Sequence, residues 1–459
     1  MINTESAAVR HAPPKAITGV LIRSTIVAAL GGLIFGFDTA VIAGTTQALT
    51  RIFQLTPKTL GITVSSALWG TILGSLLAGY VAERWGRRDS LRVLAILYLG
   101  SALGCALSWS WPSLLVFRVF AGLAIGGSSV LGPMYIAEIA PAAWRGRLVG
   151  TFQFNVVAGI LLAYLSNYLI ALQHLGDREW RWQFGVAAFP SFLFLVFLFT
   201  IPRSPRWLVK KKRLTEAREV LVHIGDPDPD AELAEIADSV AVEHKMANES
   251  LFTEAYRFPI FLAVTIAMFN QLAGINAVLY YLNDIFVAAG FAKLSAAWQA
   301  VAVGFTNLLF TVLAMLFIDR VGRRILLLIG SVGMIVALTA IAIIFRTQQH
   351  RDYLLWCLIG YIASFAFSQG AVIWVYLSEV FPNAVRSKGQ SLGSLTHWLM
   401  NALIAGVFPV LAAHSGSLPF FFFAASMVVF FFLTLFVYPE TKRVSLEQMQ
   451  RTLEGIGGQ

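Results

Sequence analysis

Twelve long apolar runs follow one another from Ile17 to Tyr438, and they restrict the possible folds more than any other property of the chain. Each is close to the roughly 20 residues that a helix rising about 1.5 Å per residue needs to cross about 30 Å of hydrocarbon. The runs cover residues 17–44, 59–81, 91–110, 113–136, 147–171, 184–201, 258–288, 296–318, 325–345, 353–378, 389–413 and 418–438. They are continuous rather than alternating, which favours helices over the strands of a barrel. Hydrophobic residues make up 57% of the chain and charged residues 13%, against roughly 25% charged in a soluble domain. A soluble globule is excluded, and the expected fold is an all-α integral membrane protein of twelve transmembrane helices.

The net charge of +9 does not point to nucleic acid, because the basic residues follow the topology. With both ends inside, the outer loops hold only Arg51, Lys58, Arg178, Arg181, Lys293, Arg346 and Arg351. Arg118 lies within a span, and the remaining Lys and Arg fall on the inner side. That asymmetry predicts cytoplasmic N- and C-termini. The first span is longer than a signal-peptide core and lacks a clear cleavage site, so it is expected to be retained. Cys105 and Cys357 both fall inside spans and read as small apolar residues rather than a disulfide or metal pair.

The longest polar stretch separates six spans from six. It divides the chain into an N-terminal bundle (1–201), a cytoplasmic helical linker (202–257), a C-terminal bundle (258–438) and a tail (439–459). The halves repeat one another. ERWGRR at 83–88 returns as DRVGRR at 319–324; Glu138 with Arg145 returns as Glu379 with Arg386; Pro202 and Pro439 each close a sixth span. Three paired landmarks at offsets of 236, 241 and 237 imply a duplicated six-helix unit. Two readings of the basic motifs are open: caps on helix C-termini that hold loops inside, or a cytoplasmic gate of ion pairs between the halves. The gate set is Glu83, Arg84, Arg87, Arg88, Glu138, Arg145, Arg206, Asp319, Arg320, Arg323, Arg324, Glu379 and Arg386.

Asp38 is an acid within the apolar first span, and Arg118 in the fourth is the basic residue placed well inside a span. A carboxylate there costs on the order of 2.5–3.5 kcal/mol, so it needs a partner or a purpose. Each is about six residues from its expected outer end, which places them at similar depth. A guanidinium that approaches and withdraws would switch the proton affinity of the carboxyl; a static buried pair is the alternative. No HExxH, GxSxG or intramembrane acid–histidine set argues for an enzyme, and no cofactor or metal site is expected.

These motifs carry a resemblance over essentially the whole length. Gly79, Glu83, Arg84, Gly86, Arg87 and Arg88, with RGRL at 145–148, PRSPRWL at 202–208, NQLAGINAVLYY at 270–281 and PETKRVSLEQ at 439–448, resemble the sugar porter branch of the major facilitator superfamily. The resemblance implies two six-helix bundles, alternating access and a monosaccharide substrate, hexose or pentose, carried with a proton, in a cell membrane and by a monomer. Asp38 and Arg118 match the aspartate and arginine of proton-coupled porters. A passive facilitator is the alternative, and a sugar sensor is disfavoured by the short stretch after Tyr438. The chain departs from the family pattern at Glu83 for Asp, at Arg203 for an acid, at Asn270 for a glutamine and at Ala371 for proline. The change at 203 removes a carboxylate and leaves Arg206 needing another partner.

The same resemblance supplies the substrate set: Gln153, Asn270, Gln271, Asn276, Asn307, Gly370, Trp374 and Asn401, with His397 where related porters place an amide. Sugar hydroxyls donate and accept together, so amides suit them, and an aromatic face suits ring C–H groups. A lone amide serves equally in a helix–helix hydrogen bond. Gly370 with Trp374, and His397 with Asn401, are four apart and share a face. Gln271 and Asn276 point about 140° apart on a regular helix, so their convergence requires a local break, with Gly274 between them.

Overall fold

The computed structural model describes residues 18–246, 249–382 and 385–442. The side chains of residues 242–246 and of Asp319 lie outside that description, as does the tail from 443, with the end of the PETKRVSLEQ motif. The described residues form helices and connecting turns, with no strand among them. The first five spans are Gly19–Phe53, Pro57–Trp85, Arg87–Ala106, Trp111–Ile139 and Arg145–Ala171. Their starts are written locally. Thr56 and Thr59, and again Ser110 and Ser113, exchange side-chain and backbone hydrogen bonds across the first turn, each pair with a proline inside it.

The first span runs to Phe53 rather than ending near residue 44, because the polar segment that follows stays helical until Gln54 turns left-handed at φ 51°. The sixth differs more. It comprises Glu179–Gly185 and Ala188–Phe197, interrupted at Val186 and Ala187, and neither piece crosses a membrane alone. Among the described residues, and with consecutive pieces of one span counted together, eleven helical stretches are long and apolar enough to do so. The seventh is in three pieces, Arg257–Leu272, Ile275–Tyr280 and Leu282–Ala288, and the tenth in two, Leu354–Phe367 and Gln369–Glu379. The eighth, ninth, eleventh and twelfth are Lys293–Val321, Arg323–Thr347, Arg386–His414 and Leu418–Phe436.

Small residues let helices approach closely, which drives association where lipid removes the hydrophobic incentive. A Cβ on Gly36 would lie 1.8 Å from the carbonyl oxygen of Val156, and one on Gly122 1.8 Å from that of Ala67, so first and fifth, and second and fourth, spans pack backbone to backbone. The halves meet where the second span packs on the eleventh and the fifth on the eighth. At the first of these contacts a Cβ on Gly61 would reach within 1.9 Å of the Gly406 carbonyl.

Between the halves lie Pro205–Lys210, Leu214–His223 and Pro229–Met246. They share a small apolar cluster of Trp207, Leu208, Val209 and Ala217, and Arg218 donates to Asp230 at 2.7 and 3.0 Å. Those hydrogen bonds hold the exposed Asp230 carboxyl below its ordinary pKa.

Candidate functional site

The seventh span breaks at Gly274, whose φ of +83° is left-handed and whose Cβ position is filled by the Phe423 ring, 2.3 Å away. Only glycine suits both conditions. The break turns Asn276 back so that its Nδ2 donates to Oε1 of Gln271 at 3.0 Å. Gln271 Nε2 donates in turn to Asn270 Oδ1 at 3.1 Å, and Asn270 Nδ2 to the Gln369 carbonyl at 3.3 Å. Gln369 begins the second piece of the tenth span, after the interruption at Ser368. The result is a head-to-tail chain of three amides. Each uses one donor within the chain; Asn270 and Asn276 retain a second, whereas the second of Gln271 faces the His397 ring, and all three keep spare acceptor capacity.

The His397 ring nitrogens lie 3.3 Å from Gln271 Nε2. Its ring centroid is 5.1 Å from that of Trp374, which is 40% exposed and so offers a free face. One turn on, buried Asn401 donates to the Tyr280 hydroxyl at 3.1 Å, while its Oδ1 has no partner. Gly370 sits in the first turn after the tenth-span break. Gln153 is half-buried on the fifth span and Asn307 buried on the eighth; no hydrogen bond ties either to the amide chain. Tyr280 and Gln369 were not singled out from sequence. Tyr280 belongs to the NQLAGINAVLYY motif, and Gln369 precedes the expected Gly370.

Arg118 Nη1 donates to Asp38 Oδ2 at 2.9 Å, with the two side chains 3% and 13% exposed. Arg118 stands about two turns in from Trp111, but Asp38 about four turns from Phe53, because the first helix extends beyond the expected membrane edge. The guanidinium has a single hydrogen bond to Asp38; its Nε is buried without a partner, and its Cζ lies 5.7 Å from the Phe184 ring centroid. Neutralising its anion would leave this buried guanidinium uncompensated, so a change in the charge of Asp38 bears directly on Arg118. A small pocket beside the pair is lined by Asp38, Thr39, Arg118, Tyr280 and Trp398, among others. It therefore adjoins the amide cluster.

On the linker side, the repeated motifs form repeated contacts inside each half. Arg87 pairs with Glu138 at 2.9 Å and with Glu83 at 3.3 Å; Arg323 pairs with Glu379 at 2.8 Å. Glu440 accepts from the backbone N–H groups of Arg323 and Arg324 at 2.9 and 3.1 Å, capping the ninth span. These pairs brace the end of one helix against another of the same bundle. Of the two sequence readings, the gate has such pairs bridging the bundles in one conformation; in the conformation described they lie within each bundle. Arg88 donates to the Ile201 carbonyl and Arg324 to that of Thr434, Arg386 to that of Phe381, and the Arg320 carbonyl accepts from Lys442. Arg84 and Arg145 are exposed. At the position that departs from the family pattern, Arg203 pairs with Asp89 at 3.2 Å, Ser204 donates to Glu138, and Arg206 donates to Ser239 at 3.2 Å.

An ion pair that does join the halves lies on the opposite face. Lys293 at the start of the eighth span donates to both oxygens of Glu179, at 2.9 and 3.0 Å. Glu179 is 8% and Lys293 48% exposed. Beneath it, the Tyr164 hydroxyl of the fifth span donates to the Leu279 carbonyl at 2.7 Å. Glu179→Gln is expected to loosen this seam by about 1 kcal/mol, or about five-fold, since half-exposed Lys293 is screened. Faster hydrogen–deuterium exchange at 282–298 checks it; unchanged exchange would show that packing alone holds the seam.

Comparison with known proteins places this arrangement. The sequence model described as "Sugar (and other) transporter" matches residues 24–453. The chain is 36% identical to the D-xylose-proton symporter of Escherichia coli (strain K12), covering 94% of this chain and 95% of that one. It is also 36% identical to the galactose-proton symporter of the same strain, over 93% of each chain. It superposes on the inward open conformation of the xylose transporter XylE from E. coli with a TM-score of 0.84 at 35% identity, over 94% of this chain and 99% of that structure. With the family model spanning nearly the whole sequence and twelve helices in two repeated bundles, the chain belongs to the sugar transporter family of the major facilitator superfamily.

Proposed function

We propose that this protein is a proton-coupled monosaccharide symporter that works by alternating access. The observation that carries the reading is the head-to-tail amide chain, with Trp374 and His397 beside it, together with Asn401 one turn on, which donates to Tyr280 on the wall of the small pocket that holds Asp38 and Arg118. Amides with spare donors and acceptors suit sugar hydroxyls, and the Trp374 face suits ring C–H groups. Asp38 takes up a proton while the site faces outside, which removes the anion from Arg118. The loaded halves then rock about the central site, and proton and sugar leave on the other side.

The bundles 1–201 and 258–438 move as the two rocking units, joined by the linker 202–257. Both termini lie in the cytoplasm of a cell membrane, as the basic residues on the linker side support. Gln153 and Asn307 complete the sugar site from the fifth and eighth spans when the halves close around it. The Glu179–Lys293 pair closes the outer side in the conformation described, consistent with the resemblance to an inward open relative.

The test is uptake of labelled xylose, arabinose, galactose and glucose into proteoliposomes, with and without an imposed pH gradient. Accumulation above equilibrium only with the gradient supports symport. Equilibration at the same level in both conditions would make the protein a passive facilitator, and transport of none of the four sugars would overturn the substrate class.

A further inference from the structure

We propose that Tyr280 is the positioning residue through which the charge on Asp38 reaches the sugar pocket. The inference rests on the symport reading. Tyr280 ends the short helix that begins after the Gly274 break, so the distortion that converges the amides also sets this ring between the two sites. On one side its hydroxyl accepts from Asn401 at 3.1 Å. On the other it lines the small pocket with Asp38 and Arg118. As an acceptor from Asn401, the hydroxyl keeps its own proton to donate.

That remaining donor has two destinations. While Asp38 is ionised, the negative charge draws the proton of Tyr280 into the small pocket. Once Asp38 is protonated, this attraction ends and the hydroxyl turns to the sugar side, where it can donate to a sugar oxygen while the unpartnered Oδ1 of Asn401 accepts from a sugar hydroxyl. The sugar then meets a complete set of donors and acceptors only in the protonated carrier. By linkage, bound sugar must raise the proton affinity of Asp38 by the same factor. Sugar and proton therefore load together, without direct contact between sugar and carboxyl.

The ionisable groups facing Asp38 are Arg118 of the fourth span, Tyr98 and Cys105 of the third, and Tyr280 itself. Tyr98 is buried and shares a hydrogen bond of 2.7 Å with Ser128. Tyrosine and cysteine ordinarily titrate above about 8, so the Asp38→Asn variant isolates the part of any pH dependence that belongs to the Asp38 carboxyl. His397 lies beside Gln271, and histidines in general titrate near about 6.5, so its contribution must be separated experimentally.

The experiment is calorimetric titration of the purified full-length carrier with the sugar it transports, across pH 5 to about 9, for the parent, Asp38→Asn and Tyr280→Phe, beside gradient-driven uptake. Parent affinity is expected to fall about 5- to 150-fold from the low to the high end of that range. Asp38→Asn removes that dependence and leaves any part owed to His397. Tyr280→Phe should reproduce the flattened profile of Asp38→Asn although its carboxyl is intact. Asn401→Ala removes the same hydrogen bond from its other end and should flatten the profile too, so the idea stays testable if one variant folds poorly. If Tyr280→Phe merely lowers affinity equally at every pH, Tyr280 is structural and the inference fails while symport stands. A parent that never accumulates sugar overturns the symport reading and the inference with it.

Discussion

Asp38→Asn is expected to bind sugar with an affinity close to that of the parent at low pH, to exchange labelled for unlabelled sugar across the membrane, and to fail at accumulating it. One pH unit is worth about 1.4 kcal/mol per proton, so a carrier moving one proton per sugar sustains about ten-fold accumulation on such a gradient. The variant should give a ratio near one. Exchange needs only reorientation of the loaded carrier, whereas net accumulation needs a carboxyl that loads a proton outside and releases it inside. The geometry makes the substitution interpretable. Arg118 has a single 2.9 Å hydrogen bond to Asp38 Oδ2, and an asparagine oxygen there can still accept it. Neutralising the buried anion nevertheless leaves Arg118 uncompensated, which destabilises buried pairs by about 3–5 kcal/mol. The melting temperature and monodispersity of the variant are therefore measured beside its transport. A well-folded Asp38→Asn that accumulates sugar as the parent does would make the pair structural.

Gln271→Ala is expected to weaken sugar binding more than Asn276→Ala, with a loss for Gln271 of about 1–3 kcal/mol, equivalent to roughly 5- to 150-fold. The ranking follows from position in the amide chain. Gln271 accepts from Asn276 and donates to Asn270, so its removal leaves groups on both sides without partners. Asn276 stands at the donor end, and its removal frees only one acceptor. Calorimetric titration at a single pH separates the two. Equal affinity in both variants and the parent would remove the seventh span from the site. The reverse ranking would mean that the sugar contacts Asn276 directly and leaves the chain intact.

Burial in lipid is a nearly additive property of consecutive residues, and for that reason the sequence alone determined the number of crossings, their order and the duplication of a six-helix unit. Backbone capability is also local. Gly274, between two amides that a regular helix would direct about 140° apart, marked the seventh-span break before any contact was known. Sequence spacing was a weaker guide where a helix ends on polar residues, as at Phe53, while the interruption at Val186 and Ala187 lies between Gly185 and Pro190, whose ring leaves the Val186 carbonyl without an i+4 donor.

Partner choice belonged to the tertiary structure. Arg87 and Arg323 each stood in a motif with several acids near enough in topology, and which acid each meets depends on how its helix is rotated and how far it slides against its neighbours. That rotation directs them to Glu138 and Glu379 within their own halves, and gives a bundle-to-bundle ion pair to Glu179 and Lys293, residues that lie in unremarkable loop-edge sequence. The place of Tyr280 between the Asp38 pocket and Asn401 has the same origin. It requires the first, fourth, seventh and eleventh spans to converge on one ring, and side chains so distant along the chain acquire a common environment only when the helices pack.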